Sequence, residues 1–222
     1  MEKRVGKRKY DSTRRQAQAA ATRQSILEAA QRRFEADGYV ATTMEAIAAE
    51  AGVALKTVYG AFTTKSGVLR ATWDLLLKGD VDEAPVAARA WYVEAIEEER
   101  PRRQVELIVR NSCRVKQRIG ALLGVIRGAG SVDADAAALW ELIQQDFHAN
   151  QHALVVSIAE HGGLRAGLDV ATATDLLWTL NHPDVWLLLV GERGWPPERF
   201  EAWFAEAARL QLLGGRTVEV AW

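Results

Sequence analysis

The sequence predicts an all-α protein, on three observations. Proline occurs only five times in 222 residues, so little interrupts a helix. Ala, Leu, Glu and Arg abound, and apolar residues recur every three to four positions over long stretches. Alternating β-branched runs are confined to Thr217 to Val220, and no internal repeat is visible.

Each element follows from local signals. Met1 to Ala21 carries Lys3, Arg4, Lys7, Arg8, Lys9, Arg14 and Arg15 with almost no large apolar residue, so residues 1–21 are expected to be a flexible basic arm. Such an arm is either a solubilising tail or a segment that touches phosphates or a minor groove. A first helix starts near Thr22, with Ile26, Leu27, Ala30 and Phe34 on its apolar stripe, and ends at Asp37-Gly38. Thr42 or Thr43 can cap the next helix, and Thr42 with Glu45 has the capping-box spacing. That helix stops at Ala51, because Gly52 breaks it.

A third, short helix runs from Leu55 to about Phe62, and Thr64 caps a fourth from Lys65 to about Lys78. Gly79 to Pro85 reads as a linker. Helices are then expected at 86–99, 102–118, 121–129, 133–161, 170–190 with a break at Pro183, and 197–213. This divides the chain into the arm, a small domain over 22–70, a larger helical domain over 71–214 and a tail over 215–222.

Charge is segregated along the chain. Residues 1–70 hold 13 Lys/Arg against 7 Asp/Glu, and the remainder holds 15 against 22, although the total is only −1. One end attracts a polyanion and the other does not, as expected when one part of a protein meets nucleic acid. The single cysteine, Cys113, excludes an intrachain disulfide and reads as a small buried hydrophobe. No apolar run reaches membrane-spanning length, and Gln16 to Ala21 is not a secretory apolar core, so a cytoplasmic protein with no membrane partner is expected. A Gly-rich phosphate loop, a serine elbow and a cysteine-histidine cluster are all missing, so neither an enzyme nor a cofactor is expected. His148 and His152 share a helical face, but the segment lacks the Glu of a zinc-protease motif, and no metal is expected.

Two short helices joined at Gly52 stand out. Ile47, Ala48 and Ala51 let the supporting helix sit close to its partner, while Val53, Val58 and Phe62 plug the small core. The stretch from Gly38 to Phe62, continuing through Thr64-Lys65-Ser66-Gly67-Val68-Leu69, resembles the DNA-binding signature of the TetR family of transcriptional regulators. With the first helix the resemblance covers about 50 residues. It implies a helix-turn-helix whose second helix enters the major groove, with Leu55, Lys56 and Thr57 on base edges. It also implies phosphate contacts by Thr43, Tyr59 and Lys65. Tyr59 could instead be a core aromatic with its hydroxyl at the surface. Ala54 stands where the family commonly has a capping Ser, and Gly60-Ala61 replaces a bulky aromatic or His.

For the larger domain the resemblance implies ligand binding and dimerisation through the last two helices. Leu176, Leu180, Phe200, Trp203, Ala207 and Leu210 recur at helical spacing and are candidates for the dimer seam, or equally for core. Trp91, Arg110, Asn111, Trp140, His148, Trp178 and Asn181 are candidates for a pocket that takes a flat or apolar ligand. The expected partners are a double-stranded DNA operator, a small-molecule effector and a second copy of the chain. The expected activity is repression relieved by the effector; the alternative is a ligand-independent architectural DNA-binding dimer.

Overall fold

The protein is described by a computed structural model over residues 6–78 and 86–213, with side chains from residue 14 onward. All regular elements among these residues are helical. The expected linker at 79–85 and the tail, including Thr217 to Val220, lie outside the described residues.

Helix α1 spans Gly6–Ala41, which corrects the expected arm: residues 6–21 are helical. Arg14 to Ala21 are all exposed, so burial does not hold them there. Arg, Gln and Ala are strong helix formers, and extending an existing helix avoids the nucleation penalty. Regular α geometry breaks at Gly38, whose φ of 76° no β-carbon favours, as the Asp37-Gly38 signal implied.

Helix α2 (Met44–Ala51) is capped by Thr43, whose Oγ1 accepts from Ala46 N at 3.1 Å. Thr42 is not the cap. Its buried hydroxyl donates to Gly38 O at 2.7 Å and closes the end of α1. Gly52, at φ 67°, then turns the chain into α3 (Leu55–Ala61). Helix α4 (Lys65–Lys78) begins where Thr64 Oγ1 accepts from Gly67 N at 3.0 Å.

After a 3₁₀ turn at Val86–Ala88 come α5 (Ala90–Glu97), α6 (Pro101–Ala129), α7 (Ala134–Glu160) and α8 (Val170–Leu180). Helix α9 (Pro183–Trp186) continues as a π-helical segment, Leu187–Glu192, and α10 (Pro197–Ala208) as another, Arg209–Leu213. Helix α6 is one rod, not the expected pair of helices. Gly120 interrupts propensity but not the helix, because it is where α9 approaches: a β-carbon there would lie 3.0 Å from Trp186 Nε1. Pro183 does restart the chain as expected, with His182 capping α9 by accepting from Asp184 N.

Two cores result. One joins Ile26 and Phe34 of α1, Ile47 of α2, Val58 of α3 and Leu69 of α4 to Leu122 and Ile126 of α6 and Leu139 of α7. Packing therefore runs unbroken across the boundary expected at residue 70. The other gathers Val105, Ile108 and Cys113 of α6 with Val155 of α7, Leu177 of α8, and Phe200 and Phe204 of α10. Cys113 is fully buried, and burial pushes its thiol up to about 11, so it serves as core.

Candidate DNA-binding face and ligand cavity

The α2–turn–α3 unit is held from behind by α1. Arg32 and Arg33 place their Nε atoms 2.8 and 2.9 Å from the two Glu50 carboxylate oxygens, and the Arg32 hydrogen bond is the main reason that carboxyl is held below its ordinary range. Arg23 donates to Ala61 O at 3.2 Å and lies 4.1 Å from the Phe62 ring centre, so it closes the C-terminal end of α3. With Val58 and Phe62 facing inward, α3 turns Lys56, Thr57, Tyr59, Gly60 and Ala61 outward.

Among the residues expected to meet DNA, Lys56 and Thr57 are exposed, and Thr43 is exposed at the start of α2. Tyr59 is 48% exposed, so it is a surface aromatic and not core. Two placements differ from expectation. Leu55 is half-buried against the first core, because its position on α3 faces α2. Lys65 has intrachain partners: Nζ donates to Tyr39 O at 2.7 Å and Thr42 O at 2.9 Å and lies 4.2 Å from the Tyr39 ring centre. Carbonyls left unpaired at the α1 terminus attract that cation. Ala54 caps α3 without a side-chain bond, as its lack of a hydroxyl requires.

Polar contacts tie the unit to the larger domain. Tyr39 Oη donates a short hydrogen bond to Asp133, which in turn caps α7 by accepting from Asp135 N and Ala136 N. Ser66 Oγ donates to Asp135 Oδ2 at 3.1 Å. The Tyr39 bond is the first cause of the lowered Asp133 pKa, while burial first and Asp133 second hold the Tyr39 hydroxyl well above its usual range.

Above this junction lies a cavity of about 480 Å³, walled by α4, α5, α6 and α7 and closed by Asn181 and Pro183. Of the expected pocket residues, Trp91, Asn111 and Asn181 line it. Arg110, Trp140, His148 and Trp178 do not. The reason is helical phase: α6 presents Ile108, Asn111, Ser112, Val115, Lys116, Ile119 and Leu123 to the cavity, and Arg110 falls off that stripe. Trp140 and His148 sit one residue out of phase with the α7 wall, which includes Leu139, Ile143, Phe147, Gln151 and Leu154. Trp140 and Trp178 instead pack edge-on against His182, and His148 packs against Trp178. His148 and His152 each face α8, at Asp175 and Thr174 respectively.

Sequence reasoning missed Trp73, Lys116 and Gln151. Trp73 sits on α4, the helix that crosses the boundary expected at residue 70. Lys116 and Gln151 share the inward helical spacing of their apolar neighbours, and that spacing was the available signal.

The seam residues also divide. Phe200 is fully buried within its own chain, against Trp186, Trp203 and Phe204, so it is core and not available to a partner. Leu176, Leu180, Trp203 and Ala207 are half-buried, while Leu210 is 44% and Leu188 50% exposed.

A helix-turn-helix thus shares a core with a helical domain that holds a cavity of small-molecule size. Residues 26–72 match the family model for bacterial regulatory proteins of the tetR family. Solved structures of the same fold include NalD of Pseudomonas aeruginosa, the secondary repressor of the MexAB-OprM multidrug efflux pump (20% identity, 88% of this chain and 98% of that chain, TM-score 0.66). Another is the transcriptional regulator FadR of Bacillus subtilis in complex with stearoyl-CoA (15% identity, 87% and 99%, TM-score 0.66). A third is the SmeT-triclosan complex (19% identity, 85% and 90%, TM-score 0.66). No curated protein matches the chain by sequence. Residues 26–72 are thus the part of the chain that matches the tetR family, and the solved structures show that the fold is shared over most of its length. No helix among the described residues is long and apolar enough to cross a membrane.

Proposed function

We propose that this protein is a cytoplasmic repressor that binds a pseudo-palindromic operator as a homodimer and leaves it when a small molecule fills the cavity. The observation that carries this reading is the double duty of α4. Arg70, Trp73, Asp74 and Leu77 line the cavity, while Lys65 and Ser66 at the other end of the helix hold the α1–α2 turn and α7. An occupant that fits better with α4 displaced shifts the population toward a poor DNA-binding arrangement, by as much as its affinities for the two states differ. That one structural relative is a repressor and two others hold small molecules agrees with this.

On DNA, Lys56 and Thr57 read base edges, and Thr43 and Tyr59 hold phosphates. Lys65 and Leu55 are left out of this set for the reasons given above. Two recognition helices stand about 34–36 Å apart in such a dimer, matching successive major grooves. Leu176, Leu180, Trp203, Ala207 and Leu210, with Leu188, supply the seam. The alternative of a ligand-independent architectural dimer has the cavity against it, since a domain that only dimerises needs no such volume.

Selection from random double-stranded DNA with the purified protein tests the reading. Enrichment of a dyad with half-sites one helical turn apart is expected, with binding weakened by a few kcal/mol in the Lys56→Ala, Tyr59→Ala double variant. Retention of full operator affinity by that variant would sink the assignment of α3.

A further inference from the structure

The cavity holds one group that its apolar walls do not explain. Lys116 is only 5% exposed, on the inward stripe of α6, and its ammonium donates to Asn181 Oδ1. Asn181 is itself 1% exposed, and its Nδ2 is spent on Ser112 Oγ at 3.0 Å and Gln151 Oε1 at 3.1 Å, so it is fixed in place. An ammonium has three protons to donate, and Asn181 takes one. Among the described residues no carboxylate comes within ion-pair distance of Lys116. Asp74 and Asp146, the acidic members of the cavity wall, make no ion pair with it; the Cys113 thiol nearby is kept protonated by burial, and His182 is a further titratable neighbour.

A buried cation without a counter-ion is normally found neutral, paired or absent. Burial lowers the Lys116 pKa to about 7, so the amine loses its proton as pH rises above neutrality. Ser112 stands one helical turn before Lys116 on the same stripe. Its hydroxyl accepts from Asn181 and has no acceptor of its own among the described residues, so its proton is available beside the ammonium. Trp91, Ile108, Val115, Ile119 and Leu154 supply apolar wall, Asn111 and Gln151 are further polar members, and the other cation of the lining, Arg70, is exposed on α4.

Resting on the reading that the cavity binds the effector, we infer that the effector is an apolar monocarboxylate, with one acid oxygen on Lys116 Nζ and the other on the Ser112 hydroxyl. Its hydrocarbon or aromatic body lies along the apolar wall between Trp73 and Trp91. The carboxylate supplies the missing counter-ion, and Lys116 takes up a proton as the acid binds.

Two matched pairs of probes test this: decanoate against decan-1-ol, and naphthalene-1-acetate against its amide, each titrated by the fluorescence of the cavity tryptophans. Wild-type protein is expected to prefer the acid of each pair at least tenfold. Lys116→Met, which keeps the side-chain length and removes the charge, is expected to lose that preference and bind the neutral partner as well or better. Calorimetry of decanoate binding to the wild type at pH 8 in buffers of different ionisation enthalpy is expected to show uptake of close to one proton, and does not depend on how the variant folds. Equal binding of acid and neutral partner by the wild type, an unchanged preference in the variant, or no proton uptake overturns the inference and leaves the cavity as the effector site. Failure of all four probes to bind overturns the inference and the effector-site reading together.

Discussion

The Tyr39–Asp133 hydrogen bond is the narrowest polar link between the helix-turn-helix and the larger domain, and Tyr39→Phe removes it with little else. The ring stays: it stacks on Phe34 with centres 5.9 Å apart and lies under the Lys65 ammonium. Only the hydroxyl goes, from a residue that is 6% exposed. A hydrogen bond to a charged acceptor contributes about 1.5–3 kcal/mol. Asp133 is partly solvated and keeps its bonds from Asp135 N and Ala136 N, so a loss of about 1–2 kcal/mol is expected. In a chain of this size that lowers Tm by roughly 3–6 °C. Urea unfolding followed by tryptophan fluorescence measures it. The pH dependence is distinctive. Asp133 has a depressed pKa in the folded state, so its contribution is present above the ordinary carboxyl value of 3.8 and is lost as pH falls through the depressed one. The gap between wild type and Tyr39→Phe is therefore full at pH 7 and narrows in acid. Stabilities equal within about 0.3 kcal/mol at pH 7, or a gap that does not change below pH 3.8, would refute this account of the junction.

Other perturbations separate further parts of the argument. Thr43→Ala removes the α2 cap and is expected to lower stability by about 1 kcal/mol, with Thr43→Ser restoring most of it in the same urea assay. Gly163→Ala places a β-carbon about 2.5 Å from the Pro101 ring and is expected to destabilise by about 1–3 kcal/mol, whereas Gly128→Ala, in open space on α6, gains up to about 1 kcal/mol; equal Tm changes for the two would contradict the packing described. Deleting residues 2 to 15 is expected to flatten the dependence of log affinity on log salt for the selected operator; an unchanged slope would mean that this basic segment makes no phosphate contacts.

The helix-turn-helix was legible because its signals are local. Gly38 and Gly52 mark the turns, Thr64 marks the start of α4, and the inward spacing of Ile47, Val58 and Phe62 needs only the pitch of a helix. The extra length of α1 was misjudged by weighing core formation over the helix propensity of an Ala- and Arg-rich segment. For the cavity, residue type proved a poor guide. Aromatic, amide and His residues were expected to line it, yet Trp140, Trp178 and His148 pair with one another and with His182 a single helical step away. In the same way Phe200 belongs to a stripe that reads equally as core or seam, and burial within its own chain resolved it as core.

By itself, the sequence determined that the chain is helical, where α2, α3 and α4 begin, and that a helix-turn-helix follows a basic N-terminal segment. These depend on interactions between residues a few positions apart, which the chain order preserves. The tertiary structure alone decided that Lys65 donates to carbonyls at the end of α1, that α4 is shared between the cavity and the DNA-binding unit, and that Lys116 has no carboxylate partner among the described residues. Each of those rests on which side chains meet across 20 or more residues, and a hydrophobic stripe constrains a helix's inner face without fixing its exact rotation or the neighbour it meets.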